Sequence, residues 1–207
     1  MPVRMALIGR HNVSNAVAAG AAAWALGLPP EAIKAGIEAV EVVPGRLQRV
    51  AAGQPFEILV DYAHTDDALL KVLRNLKSVV SGRLIVVFGA GGDRDRAKRP
   101  RMGRVAARWA DSVWITSDNP RSEDPHAIIR EIAAGIPREA RAVIHQEVDR
   151  RRAIAGAVAE ALQRDLVLIA GKGHERTQKF TNVQIPFDDC QVAREAYEAL
   201  GRRSRAG

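Results

Sequence analysis

The chain has 207 residues, 47% hydrophobic and 27% charged, which suits one domain or one and a half with a core of its own and excludes a disordered or collagen-like chain. No run approaches the roughly 18 consecutive apolar residues of a membrane span. The net charge of +7 comes from 25 arginines and 6 lysines against 24 acidic residues, but it is spread along a chain with only 4% aromatics, and no basic stripe interleaved with stacking side chains points to nucleic acid.

At the N-terminus the apolar run in MPVRMALIGRHN is too short for a secretory signal. An alanine-rich helix is expected from Val13 through Trp24 and Leu26, capped by Asn12 and stopped by Gly27. Pro30 suits the first turn of a second helix, Glu31 to about Val40. Pro44-Gly45 reads as a turn and a domain boundary, dividing the chain into residues 1–44 and 45–207. After it, short continuous apolar runs alternate with helical periodicity. Phe56–Tyr62, Leu84–Phe88, Ser112–Thr116, Ala142–His145 and Leu166–Ala170 read as strands covered on both faces. Between them lie the stripes Leu69, Val72, Leu73, Leu76; Met102, Val105, Ala106, Trp109; Ile128, Ile129, Ile132; and Ile154, Ala157, Val158, Ala161, all read as core. This order predicts an α/β fold, a doubly wound, mostly parallel, Rossmann-like sheet. The basic runs Arg150–Arg152 and Arg202, Arg203, Arg205 read as a solvated helix face and a terminus. Val183–Phe187 reads as the last strand, with a closing helix from Asp189 to Leu200. The single cysteine, Cys190, excludes an internal disulfide or a cysteine-based zinc site, fits a reducing cytoplasmic setting and reads as a small packed side chain.

In open α/β sheets, ligands bind beyond the carboxyl ends of the strands. The unusual polar sequences fall there: Asp61–Asp67, Gly89–Arg96, Ser117–Pro125 and Gly171–Glu175. Each alone is ambiguous. Gly89–Gly92 matches neither a Rossmann fingerprint nor a P-loop, and Gly171-Lys172-Gly173 lacks P-loop spacing. Asp118-Asn119-Pro120-Arg121 also suits a plain turn into a helix capped by Ser122 or Asp124, and His64 and His174 suit satisfied loop histidines. No paired His/Cys spacing suggests a transition metal. Taken together, the mixed charges suit a zwitterion. Arg94 and Arg121 match a carboxylate with planar forks, while Asp118 and Glu175 suit an ammonium.

HNVSNAVAA (11–19), PGRLQ (44–48), DYAHT (61–65), GAGGDRDRAKRP (89–100), DNPRSEDP (118–125) and AGKGHE (170–175) occur in this order, and with them the chain resembles the Mur ligase family, ATP-dependent amide ligases of peptidoglycan precursor synthesis. The nearest resemblance is to the branch adding the third amino acid to UDP-N-acetylmuramoyl-L-alanyl-D-glutamate, and DNPR looks like the mark of enzymes taking meso-diaminopimelate rather than L-lysine. Diaminopimelate has a carboxylate as well as an ammonium at its far end. A carboxylate clamp facing lysine would be left unpaired, at a cost on the order of a few kcal/mol.

The resemblance implies a diaminopimelate site at Arg94, Asp118, Asn119, Pro120, Arg121, Gly171 and Glu175, and ATP contacts at Asn15 (adenine), Arg46 (phosphate) and Asp61 (ribose). It implies a reaction in which ATP and magnesium activate the D-glutamyl γ-carboxylate for attack by the diaminopimelate amine. No general base is assigned; His174, beside Glu175, is a candidate. Asp66 stands where the family pattern has proline after DYAHT, which bears on the start of the next helix rather than on chemistry.

The chain has no P-loop, UDP-binding region or magnesium-binding central region, so residues 1–44 resemble only the final helices of a central ATPase domain. A carboxy-terminal part, inactive alone, is expected, its missing domains supplied in trans if at all. A non-catalytic amino-acid-binding module, a lysine-adding or other Mur-type ligase and a nucleotide-binding oxidoreductase are the competing readings; the absent GxGxxG argues against the last.

Overall fold

The computed structural model describes residues 2–203. α1 (Arg10–Ala25) and α2 (Pro30–Glu38) pack on each other, with Pro30 in the first turn of α2 as expected. α1 begins at Arg10, so Asn12 is not its cap; the Asn12 side chain is buried in the first turn and donates to the Ile8 carbonyl at 2.8 Å.

The remaining elements alternate: β1 (Gln48–Arg49), β2 (Glu57–Asp61), α3 (Asp66–Lys77), β3 (Leu84–Phe88), α4 (Lys98–Trp109), β4 (Ser112–Ile115), α5 (Pro125–Ala133), β5 (Val143–Gln146), α6 (Arg150–Glu160), β6 (Leu166–Ala170), β7 (Thr177–Lys179), β8 (Gln184–Pro186) and α7 (Asp189–Arg203). The main sheet has the order β1-β2-β6-β3-β4-β5, parallel except for β1. One face packs Leu59, Val86, Phe88 and Leu168 under α3, α4 and α5; the other packs Ile58, Val60, Val87 and Ile169 under α6 and α7. The sheet is thus doubly wound, as expected. Both faces of β3 and β6 are covered because every residue in them is apolar and buried, each large side chain contributing about 1.5–3 kcal/mol.

Helix starts follow their caps. Thr65 Oγ1 accepts from the Ala68 amide at 3.2 Å, and Asp66 and Asp67 occupy the first turn of α3, where carboxylates complement the helix dipole. Asp66 therefore starts this helix without proline. Asp124 and Asp149 cap α5 and α6 in the same way. Each cap sits at the junction between a strand-end loop and its helix, and so helps fix where that loop turns.

Three expectations need correction. β5 is not covered on both faces: it is the sheet edge, and none of its residues is buried. Val183–Phe187 does hold the last strand, β8, but it does not extend the main sheet; it pairs with β7 in a separate antiparallel hairpin, because a short apolar run does not specify its partner. Arg150 is not on a solvated face. It is fully buried, with Nε and Nη2 at 2.8 and 2.7 Å from the two carboxylate oxygens of Asp189. Cys190 packs against the α6–α7 core, and burial pushes its thiol up to about 12, far from a reactive thiolate.

Candidate functional site

The strand-end loops converge. Tyr62, His64 and Thr65 follow β2; Gly91, Arg94, Asp95 and Lys98 follow β3; Asp118, Asn119 and Arg121 follow β4; Gly171 and Glu175 follow β6; together they line one cavity of about 470 Å³. Its charged walls are Arg94, Lys98 and Arg121 against Asp95, Asp118 and Glu175. Such balance suits a ligand carrying both signs of charge. Arg94 and Arg121 flank Gly91: a methyl built there would stand 2.9 Å from Arg121 Nη1 and 3.8 Å from Arg94 Cγ. Gly171 has φ +114, and a β-carbon there would lie 2.7 Å from Asp118 Oδ2, so only glycine lets that carboxylate approach.

The β3 and β4 loops are stitched together. Gly92 donates to the Asn119 carbonyl at 2.9 Å and accepts from Arg121 Nη1 at 2.6 Å. Ser122 Oγ and N donate to the Asp93 carboxylate at 2.6 and 3.2 Å. Beneath them the buried Arg99 donates to both Glu123 oxygens at 2.8 Å and to the Gly91 carbonyl at 3.2 Å, while Glu123 also accepts from the Asp93 amide at 2.6 Å. Arg94 and Arg121 therefore sit on loops of fixed spacing.

The Arg99 hydrogen bonds, joined by the Asp93 amide, hold the Glu123 carboxyl at about 2, against an ordinary 4.5. A depressed folded-state value means the stitch is at full strength above pH 4.5 and is lost as pH falls through about 2. In a carbon-13 NMR titration the Glu123 carboxyl should move near pH 2; movement near 4.5 would show that Arg99 does not hold it.

On the other wall, Glu175 Oε2 accepts from Asn119 Nδ2 at 2.8 Å and from Lys172 Nζ at 3.2 Å. Asn119 Oδ1 accepts from Lys172 Nζ at 3.0 Å and from the Lys179 amide at 2.9 Å, which fixes its orientation. Burial alone would raise the Glu175 carboxyl, but the Asn119 amide and the Lys172 ammonium outweigh it and hold Glu175 ionised below its usual range.

A second cavity of about 540 Å³ takes in the end of β2 as well, lined by Asn15, Arg46, Asp61, Ala63, Lys71 and Asn75 among others. Asp61 is buried and accepts from the Leu47 amide at 2.9 Å and the Ala63 amide at 2.8 Å. Each carboxylate oxygen has a second lone pair for a hydroxyl donor. The Arg46 guanidinium lies 5.1 Å from the ring centroid of Tyr62, which lines the first cavity.

Residues 45–173 match the Mur ligase, glutamate ligase domain. The chain belongs to the Mur ligase family. It is 50% identical, over 94% of its length, to a UDP-N-acetylmuramoyl-L-alanyl-D-glutamate–2,6-diaminopimelate ligase of Solibacter usitatus, and 52% identical, over 92%, to one of Streptomyces coelicolor. It spans about two fifths of those relatives, 39% and 38% of their lengths. A solved structure of a ligase of that name superposes with a TM-score of 0.74 at 42% identity, covering 96% of this chain and 40% of that one. The alanine ligase MurC of Thermotoga maritima, at 17% identity and TM-score 0.64 over 98% of this chain and 40% of that one, shares the fold.

Of the seven residues that the family resemblance implied for an amino-acid site, Arg94, Asp118, Asn119, Arg121, Gly171 and Glu175 line the first cavity. Pro120 does not line it. Its carbonyl accepts from the Glu123 amide at 3.0 Å and packs so closely on Gly92 that a β-carbon there would lie 1.8 Å away, so it shapes the loop. Asn15, Arg46 and Asp61 all line the second cavity. His174 is exposed and lies outside the first cavity's lining, its ring 5.3 Å from that of Tyr62; nothing supports a base there. Lys172 was missed. The only signal was its place between two glycines in a strand-end loop, which says nothing of a buried ammonium.

Proposed function

We propose that this chain is the amino-acid-binding part of a cytoplasmic ATP-dependent amide ligase that joins meso-diaminopimelate to UDP-N-acetylmuramoyl-L-alanyl-D-glutamate. The observation that carries the reading is one cavity in which Arg94 and Arg121 face Asp118 and Glu175. In this reading the arginines take the far carboxylate of diaminopimelate as a charge-assisted pair, and Asp118 and Glu175 take the ammonium beside it. Lys172 and Asn119 keep Glu175 ionised for that task. The near amine is left free at the cavity mouth, positioned to attack an activated carboxyl group.

The second cavity suits a nucleotide. Arg46 would take phosphate, Asp61 would accept from a ribose hydroxyl, and Asn15 would lie near the base. When ATP is bound, its γ-phosphoryl group supplies activation of the D-glutamyl γ-carboxylate. Among the described residues no cluster of His, Cys, Asp or Glu offers a set of metal ligands, so magnesium is assigned to no residue here. We assign residues 1–44 to the neighbouring ATPase domain. α1 leaves Val13, Val17 and Trp24 exposed, and a largely apolar groove of about 420 Å³ runs between α1 and α2, a surface that suits cover by further chain. Domains of that kind, supplied in cis or in trans, would complete the enzyme, and phosphate release on mixing them with this chain would register it.

The direct test is calorimetry on the chain. Meso-diaminopimelate should bind at least about tenfold more tightly than L-lysine, the equivalent of ~1.4 kcal/mol. Equal affinities, or tighter binding of lysine, would refute the carboxylate clamp.

A further inference from the structure

We infer that the buried Arg150–Asp189 pair is a positioning device for the amino-acid pocket, tying the ends of two strands that the sheet itself leaves unconnected. The inference rests on the pocket proposed above. Arg150 is the first residue of α6 and Asp189 the first of α7, and both side chains have 0% exposure. Beyond its two bonds to Asp189, the guanidinium donates from Nη2 to the Ala170 carbonyl at 3.1 Å and from Nη1 to the Ser117 carbonyl at 3.4 Å.

Those two carbonyls have particular addresses. Ala170 ends β6 and precedes Gly171; Ser117 follows β4 and precedes Asp118. In the sheet β6 and β4 are separated by β3, so no ladder bond joins them. At the end of β3, Gly89 packs so tightly on the β4 end that a β-carbon would lie 2.3 Å from the Thr116 carbonyl, but no backbone contact of that kind joins β4 to β6. Arg150 thus spans the gap above β3 and, at the strand ends, adds a tie between the Asp118 and Gly171 loops to the Asn119–Glu175 and Lys172–Asn119 bonds farther out. Although burial opposes it, Asp189 keeps the guanidinium charged, aided by Asp118 and Glu175 themselves.

Fold stability alone does not call for an arginine here. A buried ion pair is often matched or surpassed in stability by apolar residues of similar volume. What an apolar pair cannot do is donate to two carbonyls at once. That difference separates a positioning role from a merely structural one.

The experiment compares wild type, Arg150→Met/Asp189→Leu and Arg150→Lys by thermal unfolding, by calorimetry with meso-diaminopimelate, and by amide hydrogen exchange without ligand. The apolar double variant should unfold near the wild-type temperature, yet lose about tenfold to a hundredfold in affinity, the scale of effect that small displacements of site groups produce. Amides of residues 117–119, 121 and 171–175 should exchange faster, while those of β3 and β6 stay protected. A folded double variant with wild-type affinity and exchange would overturn the inference. Should the double variant not fold, Arg150→Lys decides. Its single ammonium keeps the charge but cannot reach both carbonyls, so the same loops should loosen; unchanged exchange there would overturn the inference. Failure of the wild type to bind meso-diaminopimelate would sink the pocket reading instead, and the exchange comparison would still test the tie.

Discussion

Replacement of Arg121 by alanine should abolish the preference for meso-diaminopimelate over L-lysine. Arg121 is held at φ +52, in the left-handed region, by its loop: its amide donates to the Lys179 carbonyl at 3.0 Å, and its Nη1 donates to the Gly92 carbonyl at 2.6 Å. This leaves the remainder of the guanidinium fork toward the cavity that it lines with Arg94. A charge-assisted bond to a carboxylate contributes about 1.5–3 kcal/mol, roughly one to two powers of ten in affinity. Lysine has no far carboxylate and loses nothing with Arg121. Calorimetry on the variant should therefore show diaminopimelate weakened to the level of lysine, with lysine unchanged. A variant that still discriminates would move the clamp to Arg94 alone.

The largest effect on stability is expected from Asp189→Ala. The variant leaves the Arg150 guanidinium fully enclosed without its counter-ion, since Ser117 and Ala170 offer only neutral carbonyls. Removing one partner of a buried pair costs about 3–5 kcal/mol, a large part of the stability of an ordinary domain. The urea midpoint should fall accordingly. A loss below about 1 kcal/mol, the size expected of exposed pairs, would mean that water reaches Arg150 in solution.

The sheet was legible because β3 and β6 are unbroken apolar runs, β2 carries Ile58, Leu59 and Val60 in succession, and the helices between the strands carry their apolar residues at helical spacing. The site was legible for a related reason: polar residues concentrated in the segments that follow those runs, and a parallel sheet brings all such segments to one rim. What remained hidden depends on partners distant in sequence. Arg150 lies in a triple of arginines and reads as solvent-facing, because arginine is rarely buried unless paired, and its partner is 39 residues away. Lys172 was invisible for the same reason, since the Asn119 oxygen that receives it lies 53 residues away. The β7–β8 hairpin could not be told from another strand of the main sheet, because pairing partners are not written in a short run of apolar side chains. Pro120 was placed in the cavity with its motif, and its position shows that a motif marks a loop, not the direction of every side chain in it.

The most direct test of the account is a crystal structure of this chain with meso-diaminopimelate. The account predicts the far carboxylate within about 3 Å of the Arg121 and Arg94 guanidinium nitrogens, with the adjacent ammonium on Asp118 and Glu175. A ligand bound elsewhere, or one turned so that its ammonium faces the arginines, would contradict it.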